Sequence, residues 1–436
     1  MAIRWGIRAL AAMTAVAALL HGCKGASDHG DADLADADIQ IEELSPCEAA
    51  MLEWRGIWQI RNEDSGLSGR TPDINLIDVW GHNADDIYAV GNQGSILHFD
   101  GNGWSQMDSG SEANLEGVWG YVLEDADGNV TRTEVFAAGS DGTVLRYDGT
   151  AWNSLAVIND PDPAQPNPQA VTDNFHDIWG IRAPGPDAAT QHPTVIAVGG
   201  KGLIALYDGA LGEFREMRRA EPFTYPVYDD QGNIVGEETR ISYVRYTAER
   251  LGGVYGPSQD LFVAVGNSGT ILEYDGSGWA KRSITGFVTH LNGAWGRGSW
   301  EIFGVGLEGT ITRRDGSGNW SVLDYDTPPT YLRSVWAWGQ SKCGVPRIEP
   351  DADPVPTNTS WVMFVGWDGT MLFAHDGLVC EWPDITASRL EAIWGDPPRG
   401  EGERTLEDGT VVCDPVEVVA VGVDGTIIRL VDAQGR

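Results

Sequence analysis

Four polar side chains occupy the same position in a phrase that recurs along the chain. The phrase has the form L-x-x-V-W-G, and the four residues lie three places before its aromatic residue: Glu116, His176, Arg333 and Glu391. Carboxylate, imidazole and guanidinium groups bind small polar ligands or perform acid–base chemistry when a fold brings them together. Whether these four meet depends on the element that carries the phrase.

The phrase is the first of four short pieces that repeat seven times between Leu76 and Asp432. It is followed by a V-x-A-V-G piece, by a piece of the type D-G-T-I-x-x-Y-D-G, and by a tryptophan. The pieces are rich in β-branched and aromatic residues and are bounded by glycine and aspartate, so each predicts a strand. Four strands in about 40 residues are typical of a propeller blade. The sequence therefore predicts an all-β fold, a seven-bladed β-propeller.

The two ends of the repeat region complement each other. The seventh unit stops at "IIRLVDAQGR" without a fourth strand, whereas "RGIWQIRNEDSG" (55–66) parallels the fourth piece of the first unit, "GNGWSQMDSGS" (101–111). We therefore expect the N-terminal strand to complete the last blade. This closure would remove the unpaired edges of an open array.

Strand one lines the central channel of a propeller, so the four polar residues of the phrase are expected to face that channel. They could converge there as a small-ligand site. The alternative interpretation is that they hydrate a water-filled channel, which is the simpler expectation because fold analogy does not establish a site.

The units resemble the degenerate propeller repeats of bacterial exported lipoproteins, especially the myxobacterial type with A-V-G-x-x-G-T-I-x-x-Y-D-G-x-x-W. The stretch "VGNSGTILEYDGSGW" (265–279) carries this resemblance most clearly. More distantly, the units are similar to kelch-like propellers and to the photosystem II assembly-factor type. The resemblance covers roughly residues 55–432 and implies a seven-bladed ring. Members of such groups mostly bind or assemble other molecules and share no reaction.

Residues 1–22 are typical of a lipoprotein signal peptide. Arg4 and Arg8 precede the apolar run "ALAAMTAVAALL", which is too short to span a bilayer. The following "LLHGC" resembles a bacterial lipobox with Cys23 as the lipidated residue, and a plain secretory peptide is the alternative. We expect an exported protein attached by its lipid anchor alone to the outer membrane or cell surface of a Gram-negative bacterium.

Residues 23–46 predict an acidic disordered tether, because "KGASDHGDADLADADIQIEE" is rich in aspartate and poor in apolar residues. The propeller is then expected to occupy residues 47–436. The chain has 29 basic and 64 acidic side chains and a formal net charge of -35, which argues against nucleic acid as a partner.

The sequence contains no motif that predicts catalysis, a metal or a cofactor. It lacks the G-x-S-x-G elbow, a phosphate-binding loop before a helix, and paired histidines at metal-ligand spacing. The stretches "DADGN" (125–129) and "DDQGN" (229–233) suggest calcium, but neither has the D-x-D-x-D-G order. Hairpin turns explain both stretches better.

Insertions between the repeated pieces predict where recognition occurs. Loops 121–134, 181–194, 340–360 and 396–415 are expected on one face of the ring, and segment 215–250 on the other. Tyrosine and arginine are common at interface hot spots. The candidate interface residues in this segment are therefore Tyr225, Tyr228, Arg240, Tyr243, Arg245 and Tyr246.

These observations favour a monomeric, non-catalytic envelope lipoprotein that binds a protein or glycan partner through its loops. One alternative is an exported polysaccharide hydrolase or lyase that uses channel or loop carboxylates. A second alternative is a purely structural surface component.

Four cysteines remain besides Cys23, and an even number in an exported chain predicts two disulfides. The blade assignment places Cys343 and Cys380 in the sixth blade, and Cys413 with Cys47 in the last. We therefore predict the pairs Cys343–Cys380 and Cys47–Cys413. A zinc site is the alternative, but the close C-x-x-C pairs usual for zinc are absent.

Overall fold

A computed structural model gives an all-β fold, in which short three-residue turns and loops connect the strands. It describes residues 45, 47, 58–63, 74–124, 130–159, 169–181, 192–228, 231, 234–323, 329–338, 361–375, 378–382, 385–396, 403–405, 411–413 and 417–432. The predicted signal peptide, Cys23 and the tether lie outside these residues. Within them, no helix has the length and apolar character needed to cross a bilayer.

Seven sheets are the blades of one propeller, six of them with four strands and one with five. Blade 1 consists of β2 (Leu76–Asn83), β3 (Asp86–Gly91), β4 (Ile96–Phe99) and β5 (Trp104–Met107). Blade 2 consists of β6 (Leu115–Glu124), β7 (Val130–Gly139), β8 (Val144–Tyr147) and β9 (Trp152–Ser154). Blade 3 consists of β11 (Phe175–Ile181), β12 (Thr194–Gly199), β13 (Ile204–Asp208), β14 (Glu213–Glu216) and an added strand, β10 (Val157–Asn159).

Blade 4 consists of β17 (Leu251–Ser258), β18 (Leu261–Gly266), β19 (Ile271–Tyr274) and β20 (Trp279–Arg282). Blade 5 consists of β21 (Leu291–Gly296), β22 (Ile302–Gly306), β23 (Ile311–Arg314) and β24 (Trp320–Val322). Blade 6 consists of β25 (Leu332–Trp338), β26 (Trp361–Gly366), β27 (Met371–His375) and β28 (Leu378–Glu381). Blade 7 consists of β29 (Leu390–Asp396), β32 (Glu417–Gly422), β33 (Ile427–Asp432) and β1 (Trp58–Glu63).

The N-terminal strand completes the last blade, as the sequence predicts. Strand β1 pairs antiparallel with β33, with Trp58 opposite Asp432 and Glu63 opposite Ile427. The seven-bladed propeller and its mode of closure are therefore confirmed. Strand β1 covers the edge that β33 would otherwise leave unpaired in a three-stranded blade 7.

Adjacent blades are joined by a contact between an aromatic side chain and a glycine. A Cβ on Gly120 would lie 2.6 Å from the Trp80 ring of the preceding blade, and one on Gly180 would lie 2.5 Å from Trp119. The last blade repeats the contact onto the first, because a Cβ on Gly81 would lie 2.6 Å from Trp394. Real Cβ atoms do not approach other atoms this closely. The indole ring therefore occupies the space that the side chain of any residue larger than glycine would need.

Seven three-residue turns connect the second and third strands of the blades. The turns are Asn92–Gly94, Ser140–Gly142, Gly200–Gly202, Asn267–Gly269, Leu307–Gly309, Trp367–Gly369 and Val423–Gly425. The middle residue of each turn has a left-handed backbone, with φ between 54 and 57°. In several blades the N–H of that residue donates to the side chain before the next strand one, as Gln93 does to Asn114 (3.0 Å) and Asp424 to Asn75 (3.1 Å).

These hydrogen bonds place the turns and the segments before each strand one at the same end of the ring. We call this end the turn face. The insertion between blades 3 and 4 also begins and ends there, since it connects β14 to β17. It forms a two-stranded hairpin of β15 (Arg219–Tyr228) and β16 (Ile234–Val244).

Two of the other insertions lengthen a strand pair or add short strands to the connection between two strands. Loop 121–134 lengthens the β6–β7 pair as far as Glu124 opposite Val130. The 396–415 insertion contains β30 (Glu403–Thr405) paired with β31 (Val411–Cys413). Residues 125–129, and all of 229–233 except Gln231, lie outside the described part of the chain. Antiparallel strand pairs flank both stretches.

The predicted disulfide pairs are wrong. Cys47 is bonded to Cys380, with a Cα–Cα distance of 5.5 Å, which excludes both Cys343–Cys380 and Cys47–Cys413. The prediction kept each bond within one blade, whereas this bond joins the segment before β1, the outer strand of blade 7, to β28, the outer strand of blade 6. Cys380 also belongs to an apolar cluster with residues of β33. Cys343 lies outside the described residues, and Cys413 ends β31.

Replacing Gly81 by alanine should weaken ring closure, because the added methyl group would collide with Trp394. We expect the free energy of unfolding to fall by about 1–3 kcal/mol, the usual effect of overpacking. Urea denaturation followed by tryptophan fluorescence measures this difference. Gly103 is the control, because nothing lies within 4 Å of a Cβ built there, and Gly103→Ala should leave stability almost unchanged. Equal stability of the two variants would contradict the proposed role of the contact.

Candidate functional site

The central cavity of the ring is lined by strand one of every blade, and it encloses about 770 Å³ including open solvent. All four polar residues predicted from the repeated phrase line it: Glu116, His176, Arg333 and Glu391. They lie near the starts of their strands, so they surround the cavity at the turn face. We call this region the channel mouth.

The four residues form two separate ion pairs. His176 Nδ1 lies 2.6 Å from Glu116 Oε2, and Arg333 Nε donates to Glu391 Oε2 over 2.6 Å. The second oxygen of Glu391 lies 2.5 Å from Nε of Arg389, the residue before β29. Together with Arg389, these residues place charged and hydrogen-bonding side chains around the channel mouth, where they can contact a polar ligand.

Arg250 is a further cation of the channel mouth that the repeat pattern does not reveal. It precedes β17, and in this blade Gly252 stands where five of the other six blades carry a polar side chain. A Cβ on Gly252 would lie 2.7 Å from Arg250 Nη1, so the guanidinium takes the space of the missing side chain. Burial and the nearby charge of Arg333 lower the pKa of Arg250. Within the described residues, Arg250 makes no side-chain hydrogen bond or ion pair, although Glu116 and Asp177 attract it from farther away.

Two aspartates lie deeper in the cavity and connect blades. Asp78 accepts a hydrogen bond from the backbone N–H of Val118 in blade 2 (2.7 Å), and Asp177 accepts one from Val254 in blade 4 (2.7 Å). Burial raises the pKa of Asp78 to about 7, and burial together with the Asp78 charge raises the pKa of Asp177 well above its usual range. Blades 2, 4 and 5 have glycine at this position, so the aspartates are exceptions among small residues.

An exposed aromatic pair lies on the turn face beside the channel mouth. The rings of Tyr331 and Trp367 are 4.3 Å apart, and the two residues are 41% and 37% exposed. The Arg389 guanidinium lies 5.4 Å from the Trp367 ring. Arg389 thus connects the aromatic pair to Glu391 and Arg333. Sequence analysis missed this pair because neither residue belongs to the phrase that lines the channel.

The six interface candidates of segment 215–250 have different environments. Arg240 lies 4.9 Å from the Tyr225 ring, and the Tyr225 hydroxyl donates to Glu238. Tyr228 ends β15, and Tyr243 pairs with Ala220. Arg245 forms ion pairs with Glu216 (2.6 Å) and Asp173 (2.8 Å), and Tyr246 packs against the apolar cluster of blade 4. Arg245 and Tyr246 therefore hold the base of the hairpin, whereas Tyr225 and Arg240 are presented on its surface.

The hairpin also carries an unusual share of exposed apolar surface. Among the described residues, four of the ten exposed large apolar side chains belong to it: Phe223, Ile234, Val235 and Ile241, which are between 47% and 64% exposed. In the strand register Phe223 is opposite Arg240 and Ile241 is opposite Pro222, so these two side chains lie on opposite faces of the hairpin, while Ile234 and Val235 lie next to its loop. Exposed large apolar side chains of this kind are a feature of interaction sites in soluble domains.

Among the described residues, no cluster of three or more His, Cys, Asp or Glu side chains could hold a metal ion. For Cys343, which lies outside those residues, the sequence analysis predicts a disulfide, with a zinc site as the alternative.

No protein-family model matches the chain, and no curated protein matches it. Among solved structures, virginiamycin B lyase from Staphylococcus aureus aligns with a TM-score of 0.53 at 9% identity, over 86% of this chain and 99% of that one. YCF48 from Cyanidioschyzon merolae aligns with a TM-score of 0.49 at 13% identity, over 85% and 98%. The WD40 propeller domain of Doa1 aligns with a TM-score of 0.47 at 11% identity, over 86% and 96%. At these identities the likeness concerns the fold alone.

The raised pKa of Asp78 predicts that stability depends on pH. The folded state holds a proton that the unfolded chain releases near pH 4, so this contribution is present below pH 4 and is lost as the pH rises towards 7. Urea denaturation should therefore show a decline in the free energy of unfolding between pH 5 and 8 that is smaller in Asp78→Asn. The exposed Asp424→Asn is the control and should keep the wild-type decline. Identical pH profiles for wild type and Asp78→Asn would contradict the assignment.

Proposed function

We propose that this protein is a non-catalytic binding scaffold of the bacterial cell envelope, and that the β15–β16 hairpin captures a partner protein. The observation that carries the proposal is a hairpin with four exposed large apolar side chains, held at its base by buried ion pairs. A hairpin that is held at its base and exposes apolar side chains along its length is suited to protein recognition. A polysaccharide hydrolase or lyase has less support, because Glu116 and Glu391 are already paired.

The two edges of the hairpin differ in their capacity to pair with another strand. Strand β15 contains Pro222 and Pro226, which have no N–H to donate to β16 and therefore face its outer edge. Proline on an edge blocks strand addition. Their partners on β16 are Ile241 and Glu237, so these residues and Thr239 between them direct their N–H groups to the opposite, proline-free edge. We infer that the partner adds an extended segment to β16, the mode known as β-augmentation.

Thr239→Pro should abolish this pairing, because it removes an outward-facing donor from the β16 edge. Thr224→Pro is a matched control, since Thr224 lies directly opposite on the proline-containing edge, with the two hydroxyls 3.0 Å apart. The purified wild-type protein captures partners from extracts of the source cells, and mass spectrometry identifies them. The affinity of wild type and both variants for the identified partner is then measured with purified proteins. We expect wild type and Thr224→Pro to bind one partner equally, and Thr239→Pro to bind it at least about tenfold more weakly.

Equal binding by Thr239→Pro and Thr224→Pro would exclude the β16 edge. Circular dichroism of both variants checks that the ring remains folded, which we expect because the hairpin is a separate sheet from the blades.

Lipidation of Cys23 would place this scaffold at a membrane surface. The proposal is supported by the apolar run and lipobox-like "LLHGC" of the sequence. Multiple acyl chains give stable attachment, whereas a single chain binds only marginally.

Cys23→Ser should convert the anchored protein into an exported soluble one. Phase partitioning in a cloud-point detergent measures the change: wild type should enter the detergent phase, and the variant should remain in the aqueous phase. Equal partitioning of the two proteins would remove the lipid anchor from the proposed function.

A further inference from the structure

The aromatic pair Tyr331–Trp367 and the arginines beside it have no role in the hairpin interface. We propose that they bind an acidic sugar, a hexuronate unit of a glycan, at the side of the channel mouth formed by blades 6 and 7. This inference goes beyond the proposed protein-binding function and concerns a different site.

The fold does not require either aromatic residue. The position of Trp367, the first in its three-residue turn, is filled in the other six blades by Asn, Ser, Gly, Asn, Leu and Val. The position of Tyr331, directly before strand one, is filled by Asn, Asn, Asn, Arg, His and Arg. Only blade 6 has aromatic residues at both positions, and both remain more than a third exposed. The two rings are tilted by 32° and in contact, and together they present an exposed aromatic surface of the kind that covers the C–H face of a pyranose ring.

Positive charge is in excess next to this surface. Arg333 and Arg389 share the single carboxylate of Glu391, which leaves one positive charge uncompensated in that cluster. Arg250 adds a second cation: the charge of Arg333 lowers its pKa, while the more distant charges of Glu116 and Asp177 act in the opposite direction. The formal charge of the whole chain is -35, so this group of three arginines is a local exception. A neutral sugar would leave these cations without a counter-ion, whereas the carboxylate of a hexuronate can pair with a guanidinium.

A nucleotide would also combine a flat group with negative charge. The Tyr331 and Trp367 rings already contact each other at 4.3 Å, which leaves no slot between them for a base. Their accessible surface lies on the outside of the pair, where a sugar ring can rest while its carboxylate extends towards Arg389. A hexuronate therefore fits the site better than a nucleotide.

The test measures binding by isothermal titration calorimetry with the full-length protein and three probes: trigalacturonate, the neutral β-1,4-galactotriose, and adenosine monophosphate. We expect trigalacturonate to bind wild type at least about tenfold more tightly than the neutral trisaccharide, a difference of about 1.4 kcal/mol. Added salt should weaken the binding, because it screens the ion pair.

The variants Trp367→Asn and Tyr331→Asn introduce residues that other blades carry at the same positions, so both should fold. Each should lower trigalacturonate affinity about tenfold or more, and the matched control Leu307→Asn, at the same turn position in blade 5, should leave it unchanged. Capture of the protein partner should be unaffected by Trp367→Asn, which distinguishes this site from the hairpin.

Three results would overturn the proposal: no detectable trigalacturonate binding to wild type, equal affinity of wild type and Trp367→Asn, or equal affinity for the acidic and neutral trisaccharides. Tighter binding of adenosine monophosphate that depends on Trp367 would also overturn it, and would assign the site to a nucleotide.

Discussion

The contact between an aromatic side chain of one blade and a glycine of the next is the constraint on which the rest of the ring depends. The indole of Trp80 occupies the place of a side chain at Gly120, and Trp394 does the same at Gly81. Each contact fixes the separation and tilt of two neighbouring blades at the inner strand. Because the last contact joins blade 7 to blade 1, a change in any one of them weakens the closure of the ring. An aromatic residue followed by glycine occurs in six of the seven blades, and this repetition reflects packing and not chemistry.

The same inner packing determines what can line the cavity. Strands one approach so closely that several blades have glycine two places before the aromatic residue, where Cβ would contact the next backbone within 3 Å. Asp78 and Asp177 are accommodated there because their carboxylates accept N–H groups of the neighbouring blade. The position three places before the aromatic residue lies nearer the turn face and has room for long side chains. The four polar residues of the repeated phrase lie at this position.

Among the described residues, charged groups elsewhere in the blades are largely paired, and the channel mouth differs from them in this respect. Several arginines of the third strands pair with a buried glutamate of the adjacent second strand: Arg146 with Glu134, Arg313 with Glu301, and Arg429 with Glu417. Such pairs compensate the desolvation of both partners. In the described part of the chain Arg250 has no such ion-pair partner, and only the more distant charges of Glu116 and Asp177 offset its burial. A ligand anion would offset it further.

The sequence predicted the parts of the structure that repeat and missed those that do not. The blades, the closure by β1 and the convergence of Glu116, His176, Arg333 and Glu391 on the cavity all follow from periodicity, because equivalent positions in a ring face the same axis. Periodicity carries no information on contacts between unlike segments. The Cys47–Cys380 bond and the parallel pairing of β10 with β14 belong to that class. The bond joins the segment before β1 to blade 6, and the pairing adds to blade 3 a strand that follows blade 2 in the chain. The position of Arg250 likewise depends on the space above Gly252, which only the folded backbone reveals.

Because the blades repeat, each position in one blade can be compared with the equivalent position in the other six. The residues that six blades carry at a given position show what the fold tolerates there, so a departure in the seventh needs another explanation. Tyr331 and Trp367 depart together, contact each other, and remain exposed beside an excess of positive charge. Residues that depart for packing reasons should be buried, as Ala337 is where other blades have the glycine of W-G. Because Tyr331 and Trp367 are exposed, we interpret them as a binding surface and not as an adjustment of the packing.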